Sequence, residues 1–454
     1  MPEREDIFRA NDIRGIYPDT LDEKIAEEIG MAFGTFLGKN KTIALSMDIR
    51  KSSPMLKESF LKGLKSTGTK VLYIGKVPTP MLYFAIAHYN LDGGAAVSAS
   101  HNPPMWNGLK LCGPKGKTYG EDFGLKKIKG IYLSKKFSLR EGGNSHDVSR
   151  KLMRDYENYL FKRTKVNKVF KVGVDPGNGA DSKIASRILK KAGMFPVSIN
   201  DKPDGAFPSR SPEPKPENIT ALRELVKKNN LDFGVAFDGD GDRAMFVDDK
   251  GEAFFGDTIL AMMINNTVKK GEMVVYEISS SKAVEDVINQ KRAKGIRTKT
   301  GRAFIIDKML KNKAKLGGEY STHFYFSDIY CFDDALFAVI KLAQILSERG
   351  RSMSELINEL PKYEVVSSEF DVKESEKFRI ISKMAKNLKK YKKSRIVLLD
   401  GVKFITDKGW FIARASNTTP KIKIKAESDN REDLAEINRI ALKEYGLAKD
   451  SISK

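Results

Sequence analysis

The densest chemistry in the chain is Asp238-Gly239-Asp240-Gly241-Asp242-Arg243, which follows a candidate strand at 233–237 and precedes another at 244–247. Three carboxylates at alternate positions can turn to one side only because the intervening glycines permit a tight backbone. Hard oxygen donors in such a set suit Mg²⁺ or Ca²⁺. An EF-hand is the competing metal reading, but its sixth position is Arg243 rather than Gly and its twelfth is Asp249 rather than Glu. A solvated acidic turn is the plain alternative. Arg243 directly after the acids favours a ligand that carries phosphate.

A second group is Ser98-Ala99-Ser100-His101-Asn102-Pro103, followed by Asn107-Gly108-Leu109-Lys110. The small residues Gly93-Gly94-Ala95-Ala96-Val97 suit a strand that delivers a serine onto an exposed turn. Without further context such a serine reads first as a loop or helix cap, and no G-x-S-x-G elbow is present. Gly317-Gly318-Glu319-Tyr320-Ser321-Thr322-His323 brings an acid, a hydroxyl and an imidazole together. Arg414-Ala415-Ser416-Asn417-Thr418-Thr419-Pro420 has the composition of a phosphate cradle. Either segment alone reads first as a plain polar turn. The chain has 4 histidines, and His101 and His323 fall in these segments.

Positioning these groups requires strands that end together. Over the first two-thirds, apolar runs alternate with amphipathic segments: a helix at 22–37, a strand at 42–47, a helix at 54–66 and a strand at 70–74. The pattern restarts near 169, with a helix at 181–193 and strands at 195–199 and 232–237. It restarts again near 273, with helices at 281–290 and 333–348. Continuous apolar strands between such helices predict parallel sheet covered on both faces. Residues 364–454 read differently, as short strands with helices at 373–390 and 431–445. There, the alternation of Lys421-Ile422-Lys423-Ile424-Lys425 marks a half-solvated strand. The expected organisation is three related mixed-sheet α/β domains, at 1–150, 151–251 and 252–363. A C-terminal α+β domain with antiparallel sheet follows at 364–454.

A chain of 454 residues with 41% hydrophobic and 31% charged residues fits a soluble globular protein of several domains. No apolar run reaches the roughly 18 residues of a membrane span, and the first residues lack a signal-peptide core. Cys112 and Cys331 are too few for a disulfide framework, which points to a reducing cytoplasm. The net charge of +21 is spread as lysine, as at Lys126-Lys127, Lys227-Lys228 and Lys389-Lys390, with no basic tail. It reads as a lysine-rich surface whose field favours anionic substrates rather than as a nucleic-acid face.

The motifs in this order resemble the α-D-phosphohexomutase superfamily, in particular its phosphomannomutase/phosphoglucomutase branch. The resemblance runs from Phe8-Arg9-Ala10-Asn11-Asp12-Ile13-Arg14-Gly15 through Asp48-Ile49-Arg50-Lys51-Ser52-Ser53 and Pro78-Thr79-Pro80 to the Ser100 segment. Asp204-Gly205-Ala206-Phe207-Pro208, the Asp238 segment, Thr300-Gly301 and the Glu319 and Arg414 segments complete it. It implies a heart-shaped arrangement of the four domains, each lending one loop to a central cleft. Ser100 would be the phosphoserine and, with Asp238, Asp240 and Asp242, would hold Mg²⁺. Glu319 and Ser321 would bind sugar hydroxyls, with Gly301 also at the substrate. Arg414, Ser416, Asn417 and Thr418 would grip the phosphate that is not transferred. Arg14, Lys110, Arg243 and His323, with His101 beside the serine, would handle protons and developing charge.

The implied reaction interconverts hexose 1- and 6-phosphates of mannose or glucose through a hexose 1,6-bisphosphate, which also serves as activator. Three aspartates, a divalent cation and a phosphoserine of about −2 leave the site near −3, which gives the surrounding cations a task. A monomer or homodimer acting on a small phosphosugar is expected. A phosphoglucosamine mutase is the near alternative, and a catalytically silent sugar-phosphate-binding paralogue is the alternative from another class. Asn11, Lys299, Tyr320 and Thr322 depart from the usual pattern. At Thr322 the family usually has Gly, so a requirement for positive φ would strain this residue.

Overall fold

The computed structural model describes residues 7–416 and 420–453. The first sheet contains β1 (Ile13–Ile16), β2 (Thr42–Met47), β3 (Lys70–Lys76), β4 (Gly93–Val97), β5 (Trp106–Cys112) and β6 (Ser145–Asp147), in the order β1-β5-β4-β2-β3-β6. β4, β2, β3 and β6 run parallel, while β5 is antiparallel to both β4 and β1. The second sheet holds β7 (Lys171–Asp175), β8 (Phe195–Ser198), β9 (Phe233–Phe237), β10 (Ala244–Val247) and β11 (Ala253–Phe254), in the order β11-β10-β9-β7-β8. The third has β12 (Met273–Glu277), β13 (Lys294–Thr298), β14 (Leu316–Gly318) and β15 (Phe324–Phe326), in the order β13-β12-β14-β15. In each of these sheets a parallel core ends in an antiparallel hairpin: β4–β5, β9–β10 and β14–β15.

The fourth sheet is antiparallel throughout. It comprises β16 (Glu364–Asp371), β17 (Arg395–Val397), β18 (Val402–Ile405), β19 (Trp410–Ala415) and β20 (Lys421–Ser428), in the order β16-β20-β19-β18-β17. The alternation of Lys421, Lys423 and Lys425 with Ile422 and Ile424 becomes β20, whose isoleucines are buried under the helices Lys377–Asn387 and Arg431–Ser453. The final helix extends past the expected 445. The expected 181–193 helix is confined to Ile184–Lys191, because Lys183 stands at φ +65° and starts it late.

One apolar core runs through the first three units, joining Phe84 and Tyr156 to Phe233, Phe324 and Phe337. The helix Ala335–Arg349 is buried nearly all round within it, capped by Asp334, whose carboxylate accepts from the Phe337 N–H at 2.9 Å. The C-terminal unit has its own core around Ile380, Phe404, Phe411 and Ile437. It meets the third unit across the small cluster of Ile278, Trp410 and Ile412. No helix among the described residues is long and apolar enough to cross a membrane.

Candidate active site

The hairpins of the first three sheets point their connections into one cleft of about 700 Å³, and the fourth sheet brings Arg414 and Ser416 to its wall. The β4–β5 connection carries Ser100 and the β9–β10 turn carries the aspartates. The β14–β15 turn carries Glu319 to His323, while Arg414 lies near the end of β19 and Ser416 just after it. A parallel strand that turns back at its C-terminal end leaves its loop outside the sheet edge, where a ligand can reach it. Asn417 and Thr418 lie outside the described residues. The other site residues expected from sequence are all brought to or beside this cleft.

Ser100 is buried and adopts φ +50°, so its loop is held against an intrinsic cost. Its Oγ donates to Asp238 Oδ2 at 3.0 Å and lies 3.3 Å from His101 Nδ1. The holder is Arg50, which is fully buried after β2. Its two terminal nitrogens donate to the carbonyls of Ser100 (2.8 Å), Asn102 (2.7 Å), Pro103 (2.7 Å) and Trp106 (3.0 Å), while Nε pairs with Asp48 at 3.1 Å. Arg14 adds a bond to the Ala99 carbonyl at 3.2 Å and one to the Asn102 side chain, with Asp12 as its partner at 2.8 Å.

The aspartate loop approaches the serine loop closely. A Cβ on Gly239 would meet the Ser100 carbonyl oxygen at 2.5 Å, and Gly241 needs its φ of +74°. Carboxylate oxygens of Asp238, Asp240 and Asp242 lie within 4.8 Å of one another, all three residues fully buried. Lys110 Nζ donates to Asp240 Oδ2 at 2.6 Å and Asp242 Oδ2 at 2.7 Å, and the Thr79 hydroxyl donates to Asp240. Burial opposes the charge on Lys110, but these carboxylates hold its pKa well above the ordinary lysine value. Burial, then Asp242 and Asp240, push Asp238 well above the usual carboxylate range.

Oδ1 of Asp240 and Oδ1 of Asp242 are buried without a hydrogen-bond partner. Two orphaned oxygens, beside a third carboxylate whose pKa is raised by burial and then by its acidic neighbours, are what a cation-binding trio shows in isolation. The residues therefore fit a hard divalent cation. A second close grouping, Asp242, His323 and Asp333, shares Asp242 with the trio and pairs with Arg302, whose Nε lies 2.6 Å from Asp333, as the trio pairs with Lys110.

Around the carboxylates stand the remaining candidates. His101 lines the cleft, and burial followed by Arg243, Arg14 and Lys110 lowers its pKa well below the usual imidazole value. His323 Nδ1 faces Asp333 Oδ2 at 2.7 Å, and its Nε2 accepts from Arg243 Nε at 3.0 Å. Burial opposes protonation of His323, yet Asp242 and Asp333 lift its pKa to about 9. The Arg243 bond requires a bare Nε2, so a second proton and Arg243 are alternatives at that atom.

Glu319 accepts from the Tyr325 hydroxyl and from the Gly301 N–H at 3.1 Å, and burial raises its pKa. Gly301 thus supports the Glu319 loop through its backbone. Ser321 lines the cleft beside it. Thr322 is buried at φ +69°, the strained conformation its substitution for Gly implied. Arg414 Nη1 donates to Thr300 Oγ1 at 2.7 Å, and Ser416 lines the same wall, its carbonyl bound by Lys377 at 2.7 Å.

Arg50 and Thr79 stand in motifs whose pattern gives them no task, and Glu277, Asp333 and Tyr325 stand outside the motifs. A charged residue closing an apolar strand, as in Met273-Val274-Val275-Tyr276-Glu277, was the available signal.

Three mixed α/β units that give their hairpin loops to one cleft, and an antiparallel fourth at its wall, make up the architecture of the phosphohexomutases, a class of isomerases. Models of the four phosphoglucomutase/phosphomannomutase domains match in order: α/β/α domain I at residues 5–139, domain II at 153–251, domain III at 255–363 and the C-terminal domain at 369–442. The chain belongs to the phosphoglucomutase/phosphomannomutase family. It is 35% identical over 453 residues to a phosphoglucomutase/phosphomannomutase of Thermococcus kodakarensis, covering 96% of this chain and 98% of that one. A Pseudomonas aeruginosa phosphomannomutase/phosphoglucomutase is 33% identical, covering 96% and 94%. A probable phosphoglucosamine mutase of Methanothermobacter thermautotrophicus is 31% identical, covering 94% of each. Among solved structures, a phosphoglucomutase/phosphomannomutase family protein of Burkholderia thailandensis superposes with a TM-score of 0.90 at 29% identity, over 99% of this chain and 98% of that one.

Proposed function

We propose that this chain interconverts the 1- and 6-phosphates of mannose or glucose through a phosphorylated Ser100 and a hexose 1,6-bisphosphate, with Mg²⁺ as its metal. The observation that carries the reading is the bond of Ser100 Oγ to Asp238, beside Lys110 and Arg243 and in the cleft where residues from all four units meet. Asp238, Asp240, Asp242 and the Ser100 oxygen would hold the cation, which when bound supplies positive charge to the transferring phosphoryl group.

The chain's own residues supply position and charge, which is most of what in-line phosphoryl transfer requires. Arg50 and Arg14 fix the Ser100 loop. Lys110 and Arg243 place positive charge beside it. His101 offers a ring nitrogen to the proton released by the attacking sugar hydroxyl, while His323, its Nε2 occupied by Arg243, holds that guanidinium in place. Glu319 and Ser321 face the sugar, and Arg414 with Ser416 takes the distal phosphate. In the first transfer the bond from Ser100 Oγ to phosphorus breaks as the sugar oxygen bonds to phosphorus. After the bisphosphate reorients, its other phosphate returns to Ser100. The Arg414 loop serves both orientations because it recognises phosphate rather than a particular carbon.

The described site residues all come from one chain, so the reading holds for a monomer or a homodimer alike. Both cysteines are buried and free, in keeping with a reducing cytoplasm. Nucleic acid has no part in this reading, and the basic surface serves anionic substrates.

The test is the initial rate with Mg²⁺ and a trace of hexose 1,6-bisphosphate on mannose, glucose and glucosamine 1-phosphates side by side. Mannose and glucose turnover that is abolished by chelation and by Ser100→Ala is expected. A dominant glucosamine rate would assign the chain to amino-sugar phosphates, and near-native turnover by Ser100→Ala would refute the phosphoserine route.

A further inference from the structure

Glu277 lies in none of these site segments, yet it connects two of them. It closes β12 and is only 2% exposed. Its oxygens are divided. Oε1 accepts from the Tyr320 N–H at 2.7 Å, inside the sugar loop between Glu319 and Ser321. Oε2 accepts from the Thr300 hydroxyl, and Thr300 Oγ1 in turn accepts from Arg414 Nη1 at 2.7 Å. One hydroxyl can donate once and accept as well, so the relay is complete at Thr300. Arg414 Nη1 also stands 4.0 Å from Oε2 itself. Next to Thr300, the Gly301 N–H closes the circuit by donating to Glu319.

A buried carboxylate is a poor device for stability alone, because its desolvation opposes what its bonds contribute. A neutral side chain could satisfy the Tyr320 N–H. What only an acceptor with two oxygens does here is hold the backbone of one unit and the guanidinium of another at a fixed spacing. We propose that Glu277 is a positioning residue. Through Tyr320 and Thr300 it sets the distance between the loop for the sugar hydroxyls and the arginine for the phosphate, and so sets affinity for both ends of the hexose phosphate together. The inference rests on the assignment of Arg414 to phosphate and of Glu319 to the sugar.

The test compares steady-state kinetics on hexose 1-phosphate for wild type, Glu277→Gln, Thr300→Val, Thr300→Ser and the double variant Glu277→Gln/Thr300→Val, each with its melting temperature. KM is expected to rise about tenfold in Glu277→Gln and in Thr300→Val while kcat stays within about threefold, the pattern of lost binding common to ground and transition states. Thr300→Ser, which keeps the hydroxyl, should behave as wild type. The double variant should be no worse than the poorer single, since both changes cut one relay. Unchanged KM in both single variants, or multiplicative effects in the double, would overturn the proposal. So would a loss confined to kcat. Should Glu277→Gln not fold, Thr300→Val against Thr300→Ser decides alone. A wild type inactive on every hexose phosphate would instead refute the proposed function, which separates the two failures.

Discussion

Arg50→Lys is the most informative perturbation of the Ser100 loop, because it keeps the charge and removes the fork. Arg50 serves four backbone carbonyls from two nitrogens and pairs with Asp48 through a third. A lysine ammonium offers three donors from a single point and cannot span that set. Leaving two buried carbonyls unpaired costs about 2–6 kcal/mol, at about 1–3 kcal/mol each, less whatever entering water recovers. That is comparable to the strain of about 1–2 kcal/mol which Ser100 bears in the left-handed region, so the loop can relax once the clamp is gone. A nucleophile displaced by about 1 Å loses on the order of 10²-fold in rate. The assay is kcat on mannose 1-phosphate together with thermal melting and the extent of Ser100 phosphorylation. A fall of about 10²-fold in kcat with the fold retained is expected. A variant within about threefold of wild type in kcat and unchanged in melting would refute the view that the guanidinium holds the loop.

Two further outcomes test other parts of the molecule. At Thr322, φ +69° should reverse the usual order of Ala over Gly, making Thr322→Gly more stable than Thr322→Ala by about 1 kcal/mol in chemical denaturation; the normal order would show that the loop bears no strain. Lys403 is buried, donates to the Ile278 carbonyl at 2.9 Å and lies 3.6 Å from the Trp410 ring; burial, then Arg297, lower its pKa to about 7 against Glu285 and Glu427. The folded state then binds fewer protons than the unfolded between about pH 7 and the ordinary lysine value of 10.5, so stability should rise with pH across that window. Lys403→Met should flatten the rise, and parallel melting curves for the two proteins would show that Lys403 carries none of it.

Much of the site was legible because local chemistry and loop position coincide. The Asp238, Asp240 and Asp242 spacing encodes a turn and a carboxylate trio in the same few residues, and the small residues before Ser100 encode a buried strand that must end in a loop. The residues that hold the site were harder to see. Arg50 looks like any charged residue after a strand until the carbonyls of a loop some fifty positions away are placed around it. Glu277 is silent in the same way, since its partners Tyr320 and Thr300 come from different loops.

Sequence by itself determined the three runs of α/β pattern, the antiparallel end and the grouping of acids and hydroxyls in the loops, because each depends on periodicity or on residues adjacent in the chain; the departure at Thr322 shows only against the family's usual glycine. Tertiary structure alone decided the strand orders, the single cleft and the sharing of one apolar core by the first three units. It also decided which oxygens of the aspartate trio are left without partners. These depend on contacts between segments far apart in the chain, where burial strengthens or denies a charge according to neighbours that no local pattern specifies.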